Sequence, residues 1–444
     1  MSQSAPHRPL EGVRVLDFSW VRAGPWATRW LGALGAEVIK IEWPETERGR
    51  RTPGTTPPDL QPTLNNSGNF SDTNANKRSV TLNVRTDRGL AIARQLVARS
   101  DVVLENFSSR VLKNWGLGYA ELLKIKPDIV YISMAGYGHT GRHHSYKTFG
   151  PAAQAGSGLT FMSGLPDAPP AGWGWSYLDD TGGLYGAMCA ITGLYHRNIS
   201  GKGQHIDQSQ MITGVTLTGP SLLDHTVNGR ASRRSTYPTG NRAQWSPDPT
   251  TISYRGPAAA PHNAYRTDPG GYNDWCVIAC FNDDEWMRLR RLMGNPDWAR
   301  TATFDTLAGR LSLQDELDTG IESWTRTLNK YTVMERCQAE AIHAMPVQSS
   351  EDRVDRDPQL REREMYEMID HPELGPYRLQ NAPFRLSTSE VNNTQAGPQI
   401  GAHNREVLQG LLDLNDATFA AGYADGTFWP LDMPRFPYIE DQLS

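Results

Sequence analysis

The chain is poor in cysteine, with four in 444 residues, at positions 189, 276, 280 and 337. Their spacings match no zinc or dithiol redox motif. Cys276 and Cys280 lie in one apolar, strand-like run, so the four read as buried free thiols of a reducing, cytoplasmic compartment. No apolar run approaches the ~20 residues that span a bilayer, which argues against a membrane protein. The opening MSQSAPHRPLEG has no apolar core, which argues against a secretory leader. Basic blocks are absent too. The 44 Lys and Arg against 49 Asp and Glu leave a net charge of −5, a poor balance for a nucleic-acid binder. Apolar residues at 38% and charged residues at 21% exclude a disordered chain.

What is plentiful is Gly (41), Pro (30) and Trp (13). The first two predict many turns and long loops. The third predicts aromatic side chains lining a pocket or an interface, because exposed indoles are costly. Strand and helix patterns then alternate from the start. Residues 13–18 read as a strand, and Ala23-Gly24-Pro25 opens a helix that ends at Gly35, since Pro suits a first turn and Gly a helix end. A second strand follows over 36–42. After a polar loop over 45–75 come a strand at 79–83, a helix at 88–99, strands at 101–105 and 129–133, and a short helix between them. This alternation predicts an α/β fold with a Rossmann-like parallel sheet. The dinucleotide glycine fingerprint is missing, since the first loop reads Ser19-Trp20-Val21-Arg22-Ala23-Gly24-Pro25. Residues 182–197 read as an apolar helix whose small residues suit close packing, with a further helix from about Ser209. A composition break over 226–260 marks a linker to a smaller unit. That unit opens with a strand at 274–279 and a helix over 285–293 capped by Asn282-Asp283-Asp284.

Three stretches carry candidate chemistry. Tyr177-Leu178-Asp179-Asp180-Thr181-Gly182-Gly183 places two acids just ahead of the apolar helix. Helix capping is the plain explanation, because acids suit that end of the dipole. Alternatively, one carboxylate is a nucleophile toward an activated acyl group, and the glycines admit a bulky thioester and lend their amides to an oxyanion. Asn76-Lys77-Arg78 is either a solvated loop entry or a phosphate clamp. Asn106, Phe107 and Arg110 follow a strand, where α/β sheets bind ligands, although the same residues suit a helix cap.

In combination these segments resemble the class III CoA-transferases. The likeness is carried by Leu10 to Asp17, Ala23-Gly24-Pro25, Leu34 to Glu42, Asn76 to Ser79, Glu105-Asn106-Phe107 and Gly201-Lys202-Gly203-Gln204-His205-Ile206-Asp207. Farther on it is carried by Ala260 to Tyr265 and Asp284-Glu285-Trp286. The resemblance implies two chains interlocked as rings, with a heteromer of related subunits as the alternative. It implies a large Rossmann-like domain built from residues 1–225 and 346–444, and a small α+β domain with its linker over 226–345. It also implies an Asp nucleophile, which an ungapped count from the Gly201 turn places at Asp179, a one-residue slip giving Asp180 instead.

The implied reaction moves CoA from one carboxylic acid to another through an aspartyl anhydride and an aspartyl-CoA thioester. CoA thioesters are substrates, and neither a permanently bound cofactor nor a metal is implied. The implied CoA contacts are Arg22, Ala23, Trp43, Asn76, Lys77, Arg78, Asn106, Phe107, Arg110 and Lys147, with Trp43 stacking on adenine. The implied substrate pocket comprises Trp20, Arg22, Phe149, Trp175, Tyr177, Gly182 and Gly183. Arg22 pairs with a second carboxylate of a dicarboxylic acid, and Trp173, Trp175 and Tyr177 line an acyl pocket unless they only pack. Succinyl-CoA is the expected donor and a bulky acid, aromatic or dicarboxylic, the expected acceptor. Two alternatives stand beside this reading. One is an α-methylacyl-CoA racemase, which needs a His where this chain has Thr148-Phe149-Gly150, with His143 and His144 the nearest substitutes. The other is a non-catalytic subunit of a heteromeric transferase.

Overall fold

The computed structural model describes residues 7–43, 51, 56–163, 169–174, 176–229 and 259–429. Six parallel strands form one sheet: β1 (Arg14–Asp17), β2 (Glu37–Glu42), β3 (Lys77–Thr81), β4 (Val102–Glu105), β5 (Val130–Ala135) and β6 (Gln204–Ser209). Their order is β3-β2-β1-β4-β5-β6. The chain reverses direction across the sheet between β1 and β4, the position where open α/β sheets form a ligand crevice at the carboxyl ends of their strands. Both faces of such a sheet are covered, so the central strands carry apolar residues on both sides and successive residues feed opposite cores. Val15, Val38, Val102 and Val130 belong to one buried cluster, whereas Leu16, Ile39, Val103 and Tyr131 belong to the other.

The first cluster is closed by α1 (Ala23–Ala33) and by a helix of 24 residues, Tyr177–Ser200. The second is closed by the amphipathic helices Asp87–Ala98 and Tyr119–Ile125, and by the C-terminal Val407, Leu408, Phe419 and Phe428. Further helices used below are Gly68–Thr73, Gly150–Ser157 and Gln210–Thr216. With these counted in chain order, Gly68–Thr73 is α2, Asp87–Ala98 α3, Tyr119–Ile125 α4, Gly150–Ser157 α5, Tyr177–Ser200 α6 and Gln210–Thr216 α7.

Two boundaries differ from the sequence reading in ways that matter for chemistry. β3 begins at Lys77, so Lys77 and Arg78 are strand residues rather than loop residues. α6 begins at Tyr177 with Ser176 at its cap position, so Asp179 and Asp180 stand inside its first turn rather than ahead of it. Acids in a first turn are favoured by the helix dipole, which extends the helix past the apolar stretch that periodicity detects. The expected polar loop over 45–75 also contains α2.

By compactness the chain divides into one unit of Met1–Thr160, Gly172–Gly219 and Arg361–Ser444, and a second of Phe161–Ala171 and Pro220–Leu360. The expected boundaries at 226 and 345 fall inside the second unit. Its far end is carried past 345 because Asp352 is tied down by Lys330, at 2.6 Å. Most of the expected linker, residues 230–258, lies outside the described residues. The second unit holds an antiparallel sheet of β7 (His262–Arg266), β8 (Trp275–Ala279) and β9 (His343–Pro346) around the buried Trp286. Cys276, Cys280 and Cys337 are free and buried in that core, and burial pushes their thiols up in pKa. Cys189, on α6, is free but only half-buried. In the first unit, β10 (Tyr366–His371) and β11 (Gly375–Gln380) form a hairpin. Among the described residues no helix is long and apolar enough to cross a membrane.

Candidate active site

The turn between β1 and α1 is held from below and from the side. Asn106, just past β4, accepts from the Trp20 N–H at 2.6 Å and donates to the Trp20 carbonyl at 2.8 Å, stapling the two strand ends together. Lys40 Nζ donates to the Ser19 carbonyl at 2.7 Å. Asp17 accepts from Thr28 Oγ1 at 2.6 Å, from Lys77 Nζ at 3.1 Å and from the Ser19 hydroxyl. Burial opposes a charge on Asp17, but Lys77, Lys40 and the two hydroxyls overcome it and hold the carboxyl at about 2. Burial likewise pulls the Lys77 ammonium down to about 7.

These contacts correct the reading of Asn76, Lys77 and Arg78 as a phosphate clamp. The Lys77 side chain has no exposure and also donates to the Pro25 carbonyl at 2.9 Å. Lys77 opens β3, the edge strand, yet its side chain reaches across the sheet and meets the acid at the end of β1. Arg78 pairs with Glu37 and with Glu406 at 3.2 Å. Asn76 takes a left-handed φ of 61° and accepts the N–H groups of Thr394 at 2.8 Å and Gln395 at 3.0 Å, so it latches the C-terminal segment. Ala23 is buried at the start of α1.

Beside this turn, at the carboxyl ends of β1 to β4, lies an aromatic pocket lined by Phe18, Trp20, Trp43, Phe107 and Trp115. Trp20 meets Phe107 edge-on at 4.5 Å, and Phe107 meets Trp115 at 5.3 Å. Arg85 also lines it, with its guanidinium 5.9 Å from the Trp115 ring centre. Trp20, Trp43 and Phe107 were legible from sequence. Arg85 and Trp115 were not, because they follow β3 and β4 at distances that only the folded sheet brings together. Arg110 and Lys147 are exposed, and Arg110 has a left-handed φ of 80°.

The same turn reaches the acid pair. Arg22 Nε donates to Asp180 Oδ1 at 2.5 Å, and Arg22 Nη1 donates to Asn69 Oδ1 of α2 at 3.1 Å. Asp179 has different partners. Its Oδ1 accepts from Gln210 Nε2 at 2.6 Å and its Oδ2 accepts from the Ser176 hydroxyl. Burial raises the pKa of Asp179. The hydrogen bonds from Ser176 and Gln210 oppose the rise, the Asp180 charge adds to it and Arg22 subtracts. The two acids are therefore unequal. Asp180 is neutralised by a guanidinium, whereas Asp179 is a half-buried carboxyl held by neutral donors. Gly150, at the start of α5, backs onto it: a Cβ there would stand 2.6 Å from Asp179 Oδ2.

The other expected pocket residues fall into three groups. Phe149 and Trp173 are exposed, Tyr177 is half-buried, and the Trp173 and Tyr177 rings lie 5.0 Å apart. Trp175 lies outside the described residues. Gly182 and Gly183 are corrected from pocket walls to packing positions. A Cβ on Gly183 would meet the Ala23 carbonyl at 2.8 Å, and one on Gly182 would meet Gln210 Cγ at 3.1 Å. Both lie within α6, past its first turn, where amides serve the helix rather than an oxyanion.

Gln210 was missed in the sequence. The signal was present in Gln208-Ser209-Gln210, a polar run at the buried end of β6 and the start of the next helix. His139 was also missed, and Glu105 was read only as part of the Glu105-Asn106-Phe107 motif. Glu105 ends β4, is buried, accepts from the Phe107 N–H at 2.8 Å and lies 3.4 Å from His139 Nε2. Burial raises Glu105 to about 8 and lowers His139. His144 bonds Ser109 at 2.9 Å, and His143 is exposed against Tyr146. Among the described residues no three His, Cys, Asp or Glu side chains are grouped as a metal ion would need.

Comparison with known proteins places this geometry in a family. The chain is 33% identical to formyl-CoA:oxalate CoA-transferase of Streptomyces coelicolor, over 92% of this chain and 96% of that one. It is 32% identical to succinyl-CoA–D-citramalate CoA-transferase of Chloroflexus aurantiacus, over 95% and 98%. A crystal structure of a CAIB/BAIF family protein from Brucella suis superposes with a TM-score of 0.78 at 28% identity, covering 91% of this chain and 99% of that one. The profile of CoA-transferase family III matches residues 10–404, so the chain belongs to CoA-transferase family III.

Proposed function

We propose that this chain moves CoA from succinyl-CoA to a second dicarboxylic acid, with Asp179 as the nucleophile. The observation that carries this reading is the inequality of the two acids. A carboxylate neutralised by Arg22 is a poor nucleophile, whereas one held by an amide and a hydroxyl keeps its charge available. Asp179 attacks the donor thioester and releases CoA thiolate, the thiolate returns to form aspartyl-CoA, and the acceptor carboxylate then repeats the exchange in reverse. The aromatic pocket of Trp20, Trp43, Phe107 and Trp115 stacks the adenine of CoA. Exposed Lys147 and Arg110 meet its phosphates.

Arg22, which holds Asp180, the residue next to Asp179 in the chain, takes the far carboxylate of the acid, exchanging Asp180 for it. Both relatives named above carry dicarboxylic acids in their names, oxalate and citramalate, which favours a dicarboxylate over the aromatic acid that Trp173 and Tyr177 alone suggest. A homodimer also fits. Leu184, Met188, Ile191, Tyr195 and Ile199 line one face of α6 and are 41–71% exposed, an apolar stripe that calls for a second copy of the chain. The buried thiols suit a reducing cytoplasm.

The test is transfer itself. The purified chain with succinyl-CoA and a panel of carboxylic acids should make the new acyl-CoA, and hydroxylamine added with donor alone should mark the Asp179 peptide. Asp179→Ala should lose at least ~10⁴-fold of the turnover. Full activity in Asp179→Ala, or acceptor-independent exchange of the donor's α-proton with deuterated solvent, would replace this reading with another.

A further inference from the structure

Gln210 is buried at the first position of α7 and its Nε2 reaches Asp179 Oδ1 at 2.6 Å. The position of its backbone is set by Ser209, whose Oγ accepts the Ile212 N–H at 3.3 Å and donates to the Gly136 carbonyl at 3.0 Å. Its side chain runs along Gly182, where any Cβ would stand 3.1 Å from Gln210 Cγ. The missing side chain on α6 is what lets the carboxamide through. Gln208, also buried, braces the same place by donating to the Gly182 carbonyl at 3.2 Å. The other oxygen of Asp179 is held differently, by a hydroxyl that swings away by turning about one bond. One oxygen is clamped and one is releasable.

We propose that Oδ2 is the attacking oxygen, and that Gln210 is the oxyanion donor for every step in which the carboxyl carbon of Asp179 is itself attacked. The proposal rests on Asp179 being the nucleophile. Oδ2 adds to the donor thioester carbon, the C–S bond breaks and CoA leaves as thiolate, so Oδ2 becomes the bridging oxygen of the anhydride. The thiolate then adds to Cγ of Asp179 and pushes the carbonyl electron pair onto Oδ1. That pair returns as the Cγ–Oδ2 bond breaks, and the donor acid departs as a carboxylate carrying this oxygen. The acceptor carboxylate adds to Cγ of the thioester in the same way, Oδ1 again takes a full negative charge, and thiolate leaves. Thiolate attack on the acceptor's acyl carbon finally frees the Asp179 carboxylate. The charge on Oδ1 is greater in both tetrahedral states than in the resting carboxylate, so a fixed N–H donor there lowers those barriers selectively.

The test replaces the donor while keeping the volume. Gln210→Met should lower kcat by about 10²–10³-fold, the range for one oxyanion donor, with KM for succinyl-CoA nearly unchanged. Aspartyl-CoA thioester, followed by mass spectrometry after mixing with succinyl-CoA alone, should form more slowly by the same factor. The acid limb of the kcat profile should move to higher pH, because a donor to the ionised carboxyl is gone. Gln210→Glu keeps the shape and sets an acceptor against Oδ1. It should fail at least as badly while its thermal unfolding stays near that of the native chain, which decides the matter if the Met variant folds poorly. The assignment is overturned if either variant turns over within a few-fold of the native chain, or if kcat falls while the thioester forms at its normal rate. An inactive Asp179→Ala beside an active Gln210→Met defeats only the oxyanion role. An active Asp179→Ala defeats the nucleophile reading beneath it.

Discussion

Lys77 shows how a single residue changes meaning when its partners are known. In the sequence it heads a polar, basic stretch and invites a phosphate. In the fold it is a fully buried ammonium paired with Asp17 beneath the β1–α1 turn. Removing one partner of a buried ion pair leaves an uncompensated charge, so Lys77→Met should destabilise the protein by about 3–5 kcal/mol. Denaturant unfolding measures this, and KM for CoA in the surviving folded fraction should stay near normal. Arg22 is the converse case, since its partner Asp180 is partly exposed and, on the proposed function, gives way to a substrate carboxylate. Charge-assisted hydrogen bonds of this kind are worth about 1.5–3 kcal/mol. Arg22→Met should therefore raise KM for a dicarboxylic acceptor by roughly 10- to 150-fold. It should raise KM for a monocarboxylic acid of similar size much less, a comparison that steady-state kinetics settles directly.

At the scale of elements, α6 works through the side chains it lacks. Gly183, Gly186, Ala187, Ala190 and Leu194 are buried on the side that meets α1 and the sheet. A Cβ on Gly183 would press on a backbone carbonyl, which cannot rotate away. Gly183→Ala should cost about 1–3 kcal/mol, read from chemical denaturation. It should also displace Asp179, one helical turn earlier, and so lower activity beyond the loss of folded protein. The end of β4 makes a separate prediction. Glu105 holds its proton up to about 8 in the fold because it is buried, despite donors from Phe107 and Tyr131, and Asp207 adds to the effect. An unfolded glutamate releases its proton near 4.5. Between those values the native state binds a proton that the unfolded chain has given up. This contribution to stability is full below about 4.5 and declines as pH rises toward about 8. Thermal melts across that range should show the decline, and Glu105→Gln, which keeps the neutral shape, should flatten it. His139, 3.4 Å away, would draw the decline to lower pH only if it were charged, and burial lowers its pKa.

For the whole molecule, the apolar stripe on α6 stands exposed among the described residues. Leu184, Met188, Ile191, Tyr195 and Ile199 recur at helical spacing on the side away from the sheet. If a second copy covers them, sedimentation should give a dimer, and Ile191→Arg with Tyr195→Glu should yield monomers or aggregates. A native chain that sediments as a monomer would refute the dimer. The apolar stripe belongs to the same helix that carries Asp179, so assembly and activity should fall together in the double variant.

Much of this was legible in the residues themselves. The alternation of strand and helix, the apolar strands, the glycine-rich helix and the acid pair at its start are local patterns, and backbone geometry reads local patterns. The sequence also placed Asn106, Phe107 and Trp20 at the carboxyl ends of strands, because strand ends follow from hydrophobic periodicity. What only the tertiary structure decided is where charged and polar side chains point. Lys77 and Asp17 are 60 residues apart, Gln210 and Asp179 are 31 apart, and Arg22 and Asp180 are 158 apart. Nothing local distinguishes Asp179 from Asp180, or a buried lysine from a solvated one. Burial makes an unpaired charge costly, so each buried charge takes the partner that the finished sheet brings within reach, and that partner sets its chemistry.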